Sequence, residues 1–131
     1  MGFGQAISSC FSQYVTFSGR ASRSEYWYFT LFIILVEIVV QILAALGRLS
    51  GSPGMMMAGA GLSILLALFM LAIFLPGLAV IVRRLHDIDR SGWWYLIGLV
   101  PLVGVILLLV WFCSRGTNGP NRFGADPLAG M

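Results

Sequence analysis

The chain has 131 residues, the length of one small domain, yet 59% of them are hydrophobic and only 10% carry a charge. Ordinary globular domains carry roughly 25% charged residues, and thirteen charged side chains cannot cover the surface of a small water-soluble fold. A polar disordered chain and a disulfide-rich scaffold are excluded as well, the latter by a count of two cysteines. An integral membrane protein remains. All eight basic residues are arginine, and the net charge is +3.

Residues 3–17 (FGQAISSCFSQYVTF) are too short and too polar to span a bilayer. Phe3, Ile7, Cys10, Phe11, Tyr14 and Val15 recur at helical spacing, with Gln5, Ser8, Ser9, Ser12 and Gln13 largely opposite. The segment reads as an amphipathic helix lying in the membrane interface or against a bundle. It does not read as a secretory signal, because no short apolar core follows a basic start. Ser22 and Glu25 then form an S-x-x-E capping box that starts a helix near Arg23.

Three apolar runs follow, at residues 26–46, 62–82 and 93–112. A helix rises about 1.5 Å per residue, so roughly 20 residues cross a hydrocarbon core of about 30 Å. In lipid only a helix satisfies its own backbone without a partner strand. The predicted fold is therefore an all-α integral membrane protein forming a single domain over residues 1–131. Three transmembrane helices are preceded by the short amphipathic interfacial helix and followed by a polar tail, 113–131. Tyr26, Trp27, Tyr28, Trp93, Trp94, Tyr95 and Trp111 stand at run ends, where amphipathic rings favour the headgroup level. Residues 47–61 (GRLSGSPGMMMAGAG) read as a flexible loop. Gly47 and Gly51 lie outside the spans, so no helix-packing role is expected of their G-x-x-x-G. Met55–Met57, with no Cys or His nearby, read as apolar loop residues and not as metal ligands.

With three spans, Arg20, Arg23, Arg83, Arg84 and Arg90 share one side of the membrane, and Arg48, Arg115 and Arg122 share the other. Retention of basic residues in the cytoplasm then favours a cytoplasmic N-terminus and an external C-terminus. A break at Pro101 and Gly104 would instead make the third run a re-entrant hairpin, returning the tail to the first side and leaving Arg48 alone outside. Cys10 and Cys113 fall on opposite faces under the three-span topology and read as single apolar thiols.

The densest polar stretch is RRLHDIDRSG, residues 83–92. Its structural reading places Arg83, Arg84 and His86 at a helix C-terminus, pairs Arg83 with Asp87 one turn on, and lets Asp89 or Ser91 cap the next helix. Its functional reading turns Arg83, Arg84, His86, Asp87 and Arg90 toward anionic phospholipid headgroups or a partner protein, together with Arg20, Arg23 and Arg122. A third reading makes His86 and Asp87 the acid–base pair of a membrane-surface enzyme. Adjacent helical residues do not face each other, however, and no nucleophile has a recognisable setting.

Glu37 lies ten residues past Trp27, about 15 Å into the bilayer. A charge at that depth costs roughly 2.5–3.5 kcal/mol on insertion scales. Gln41 is one turn on and on the same face. The expectation is a protonated Glu37 that donates to Gln41 or to the Ala72 carbonyl, which Pro76 leaves without its helical N–H. The alternative is an ion path in a channel or transporter subunit. That reading requires a homo-oligomer or another membrane protein, since three short spans leave little room for a cavity. No H-E-x-x-H, G-x-S-x-G, glycine-rich phosphate loop or C-x-x-C occurs, so no catalytic set, cofactor or metal is predicted. Scattered arginines and intramembrane aromatics do not suggest nucleic acid as a partner.

The segments FSGRASRSEYWYF (17–29), RRLHDIDRSGWWYLIGLVPLVGVILLLV (83–110) and GTNGPNRFGADP (116–127) resemble the DUF805 family of small bacterial inner-membrane proteins. The resemblance spans about residues 14–127. It places Gly19, Arg20, Arg23, Glu25, Tyr26, Trp27, Arg84, His86, Asp87, Arg90, Ser91, Trp94, Asn121, Arg122, Phe123, Gly124, Asp126 and Pro127 at family motif positions. Ala125 stands where the family usually has proline. The family carries no established activity, so the resemblance implies a place in the bacterial inner membrane and no reaction. On this reading the chain is a structural or accessory membrane protein whose arginine-rich surface meets anionic lipid or a partner. Guanidinium forks suit such bidentate contacts better than lysine would.

Overall fold

The computed structural model describes residues 2–129. Met1, Gly130 and Met131, which the expected domain and tail include, lie outside the described residues. The elements in order are α1 (Phe3–Ser12), α2 (Arg23–Leu49), α3 (Pro53–Asp87), a 3₁₀ helix (Gly92–Leu99) and α4 (Val103–Cys113). They contribute to two compact units, Met1–Phe29 with Pro76–Met131, and Thr30–Leu75.

Among the described residues, two helices have the length and apolarity to cross a membrane: α2 with 27 residues and α3 with 35. Helix α2 begins at Arg23, as the S-x-x-E pattern predicts. Ser22 Oγ accepts the Glu25 N–H at 3.3 Å, but the Glu25 carboxylate turns to Arg83 instead of closing the box. Helix α3 starts well before the expected run. Ser52 caps it, its carbonyl accepting from Met56 and its Oγ from Met55. Pro53 occupies the first helical position, where no N–H is needed. The expected loop at 47–61 therefore shrinks to a short turn containing Gly51 at φ +71°, and Met55–Met57 belong to α3.

In the Thr30–Leu75 unit, small residues let the two long helices approach closely. A Cβ on Gly47 would lie 2.6 Å from the Met55 carbonyl oxygen, and one on Gly59 would lie 3.2 Å from the Ala44 Cα. Gly47 thus packs against α3, the role its position outside the predicted spans had denied it. Phe32 and Phe69 meet edge to face with centroids 6.2 Å apart.

In the other unit, α1 lies against the start of α2. Ala6 and Cys10 are fully buried, and Phe3 and Phe11 place ring edges on Tyr28 and Phe29. The third apolar run does not form one transmembrane helix. Pro101 offers no N–H, and Leu102 sits at φ +62°, which ends the 3₁₀ helix and restarts the chain as α4. The 11 residues of α4 rise about 17 Å, little more than half of a hydrocarbon core. Helix α4 folds back on the 3₁₀ helix so tightly that a Cβ on Gly104 would collide with the Ile97 carbonyl oxygen. Trp94 and Trp111 meet edge to face at 5.8 Å. The two ends of the run lie side by side, so the run forms a helical hairpin and not one continuous helix. Hydropathy measures only apolar length, and this run has that length despite a backbone break in its middle. Leu85, Leu108 and Phe112 form the hairpin's buried core against α3, flanked by Tyr26, Trp27, Ile97 and Trp111.

Candidate functional site

The last turn of α3, Arg83–Asp87, extends beyond the apolar stretch 62–82. It is the centre of a buried ionic cluster. Asp87 is held from two directions: Arg84 Nη1 donates to its Oδ2 at 2.8 Å, and Arg20 Nε donates to its Oδ1 at 3.0 Å. The remaining donors of both guanidiniums go to main-chain carbonyls. Arg20 reaches Thr117 at 2.6 Å and Gly119 at 2.7 Å. Arg84 reaches Trp111, Phe112 and Ser114 at the end of α4. One carboxylate therefore joins the loop before α2, the end of α3, the hairpin and the tail.

A second pair sits beside it. Arg83 Nη1 donates to Glu25 Oε1 at 2.8 Å, and Ser9 Oγ donates to the same oxygen at 2.8 Å. The Arg83 Nε and Nη2 groups are buried and have no hydrogen-bond partner among the described residues. Cys10 Sγ lies 3.8 Å from the Glu25 carboxylate. Burial, seconded by that negative charge, pushes the thiol up to about 12, so it stays protonated and inert. Asp126 completes the charge balance, its Oδ1 lying 4.0 Å from Arg20. Three guanidiniums then face three carboxylates. Such balance matters because an unpaired buried charge costs several kcal/mol, of order 3–5 when one partner is removed.

The tail closes over the cluster through specific polar contacts. His86 Nδ1 lies 2.9 Å from the Gly19 carbonyl, and its ring stacks on Phe123 with centroids 4.0 Å apart. Asn121 Nδ2 donates to the His86 carbonyl, and the Thr117 N–H donates to that of Asp87. Asp126 accepts backbone N–H bonds from Gly119 and Leu128, which hold its carboxyl below the usual carboxylate range. Gly116 passes so close to Asp87 that a Cβ there would strike the carboxylate.

The sequence-predicted residues are thus divided. Arg20, Arg83, Arg84, His86 and Asp87 come together, but facing inward: Arg83 and Arg84 are 0% exposed. In-chain acceptors take their donors: Arg83 is met by Glu25 at the start of α2, and Arg20 and Arg84 by Asp87, the tail and the end of the hairpin. The expected Arg83–Asp87 pair is not the one formed; Asp87 pairs with Arg84, and Arg83 with Glu25. His86 and Asp87 turn to different partners and form no dyad. Arg23 is exposed and donates to the Cys113 carbonyl. Arg122 is exposed and pairs with Asp89 at 3.3 Å. Arg90 lies over Trp111, 4.3 Å from the ring centroid. Ser91 precedes the 3₁₀ helix without a side-chain cap bond.

Glu37 and Gln41 stand outside this cluster, exposed on α2. Among the described residues neither has a hydrogen-bond or ion-pair partner. The expected bond from Glu37 to Gln41 or the Ala72 carbonyl is not formed, and Glu37 stands exposed. Ser9, Thr117 and Gly116 are not among the sequence-predicted residues, and Glu25 stands there as a cap and a family motif position, not as an ion-pair partner. The available signal was scarcity. With five acidic residues against eight arginines, each acid outside the spans was a candidate partner for a buried guanidinium.

An α-helical, membrane-type chain whose polar end is locked by an internal arginine–carboxylate cluster is the class these features define. The chain belongs to the DUF805 family, described as "Protein of unknown function (DUF805)", whose model matches residues 14–125. It is similar to Inner membrane protein YhaI of Escherichia coli (strain K12), 45% identical over 122 residues, covering 93% of this chain and 94% of that protein. It is also similar to Inner membrane protein YhaH of the same strain, 47% identical over 114 residues, covering 87% of this chain and 88% of that protein. No solved structure matches it.

Proposed function

We propose that this chain is a multi-pass inner-membrane protein with a structural or accessory role, spanning the bilayer twice and dipping into it a third time with the hairpin. The N-terminus, the 83–92 segment and the tail then share the cytoplasmic side, with Arg48 the one arginine beyond. That distribution follows the retention of basic residues far better than the three-span split does. The surface offered to anionic phospholipid or to a partner membrane protein passes from the buried arginines to the exposed ones, Arg23, Arg115 and Arg122, with Arg90 beside them.

The observation that carries this reading is the division of labour among guanidiniums. The buried ones are matched to in-chain carboxylates, while Arg23 and Arg115 are exposed with no carboxylate paired to them among the described residues. Lipid retention measured by native mass spectrometry in mixed phosphatidylglycerol and phosphatidylcholine tests it. The wild type should retain phosphatidylglycerol preferentially, and Arg23→Gln with Arg115→Gln should lower that preference by severalfold. An unchanged preference would remove the anionic-lipid role.

A second reading rests on Glu37, an exposed acid with no partner among the described residues. In an oligomer it would line a path for protons or ions. pH-dependent flux in proteoliposomes that Glu37→Gln abolishes would establish this reading against the accessory one.

A further inference from the structure

Beside the ionic cluster, α3, the 3₁₀ helix and Phe17 enclose a groove of about 510 Å³, within the roughly 300–1,000 Å³ typical of ligand sites. One wall is a stripe of α3: Leu78, Val82 and His86, spaced four apart and so aligned on one face. The facing wall carries Ser91, Tyr95 and Leu96. Gly92 allows the walls to meet, since a Cβ there would lie 2.8 Å from Val82 Cγ1. Over about 12 Å the stripe passes from pure hydrocarbon at Leu78 to an imidazole at His86. An occupant therefore has an apolar body and a polar head, ordered along α3.

The head's chemistry follows from His86, which is 8% exposed. The Gly19 carbonyl can only accept, so Nδ1 carries the proton and donates to it. With Nδ1 committed to that bond, Nε2 of the neutral ring offers a lone pair. Among the described residues Nε2 has no partner, and neither do the Ser91 and Tyr95 hydroxyls. A phosphate or carboxylate oxygen would set lone pair against lone pair. An ammonium would meet the charge of Arg122. A hydroxyl fits, and the two neighbouring hydroxyls, each donor and acceptor, match a second one.

We propose that this groove binds a glycerol-headed lipid, its acyl chain along Leu78 and Val82 and one hydroxyl of its diol donating to His86 Nε2. The assignment stands apart from the arginine surface discussed above, since Arg23, Arg90, Arg115 and Arg122 do not line the groove.

The test uses the full chain in phosphatidylcholine nanodiscs, with a monoacylglycerol carrying a diazirine in its acyl chain as the probe. Crosslinked peptides should concentrate on residues 78–96. Monoolein should displace the probe about fivefold better than methyl oleate, which lacks a donor, or oleyl alcohol, which lacks the diol. Leu78→Trp should fill the apolar end and abolish crosslinking with thermal stability retained. His86→Phe should erase the preference for monoolein, and if that variant fails to fold, Leu78→Trp decides alone. Crosslinks spread evenly over exposed α2 residues such as Leu31 and Leu35, equal displacement by all three competitors, or wild-type labelling of Leu78→Trp would each overturn the assignment.

Discussion

Arg20 and Asp87 stand 67 residues apart in sequence, yet the Arg20 Nε lies 3.0 Å from the Asp87 carboxylate, in a pair whose side chains are 1% and 4% exposed. Arg84 grips the other oxygen of the same carboxylate. Asp87→Asn would leave two buried guanidiniums without their shared counter-charge, at a cost of about 3–5 kcal/mol. Thermal unfolding in detergent should show the loss. Arg20→Lys should fold but free the tail, because one ammonium cannot reach Asp87, Thr117 and Gly119 together. Limited proteolysis within residues 114–129 reads that release.

The hairpin places the start and the end of the third apolar run together, so reporters fused at the N- and C-termini should report the same side of the membrane. Reporters on opposite sides would restore the three-span topology. Within the hairpin, Gly104→Ala sets a methyl group into the Ile97 carbonyl. Overpacking of this kind costs about 1–3 kcal/mol, and a lowered melting temperature with unchanged helix content should record it.

Cys10 and Cys113 are both free thiols, the first buried and the second exposed. With its thiol pushed up to about 12, Cys10 should resist maleimide at pH 7.5 until the chain is unfolded. Cys113 should react in the native state. Mass spectrometry of single labelling against double labelling distinguishes the two, and native double labelling would contradict the packing of α1.

Asp126 accepts two backbone N–H bonds, and its carboxyl is held below the usual range. A depressed folded value means that its contribution is complete above the ordinary carboxylate value of about 3.9 and is lost as pH falls through the folded one. Tail protection in hydrogen exchange should therefore be flat between about pH 5 and 7 and fall only in stronger acid. Asp126→Asn should lower that protection even at neutral pH.

Composition and local pattern alone determined that the chain is of the membrane type, that its apolar runs are long enough to cross a bilayer, and that α2 starts at Arg23. These follow from chain-local physics: apolar length, the bilayer's thickness and the partners of the first helical N–H groups. Packing decided the rest. Gly47 and Gly59 became helix contacts only when two helices lay close enough for a Cβ to collide. The third run kept its hydropathy but lost its continuity at Pro101 and Leu102. Arg20, Arg83 and Arg84 read as part of an arginine surface until the fold buried them among in-chain acceptors. A guanidinium looks the same in sequence whether it faces a phosphate or a carboxylate 67 residues away. Only the tertiary structure supplies the counter-charge, and with it the choice between burial and exposure.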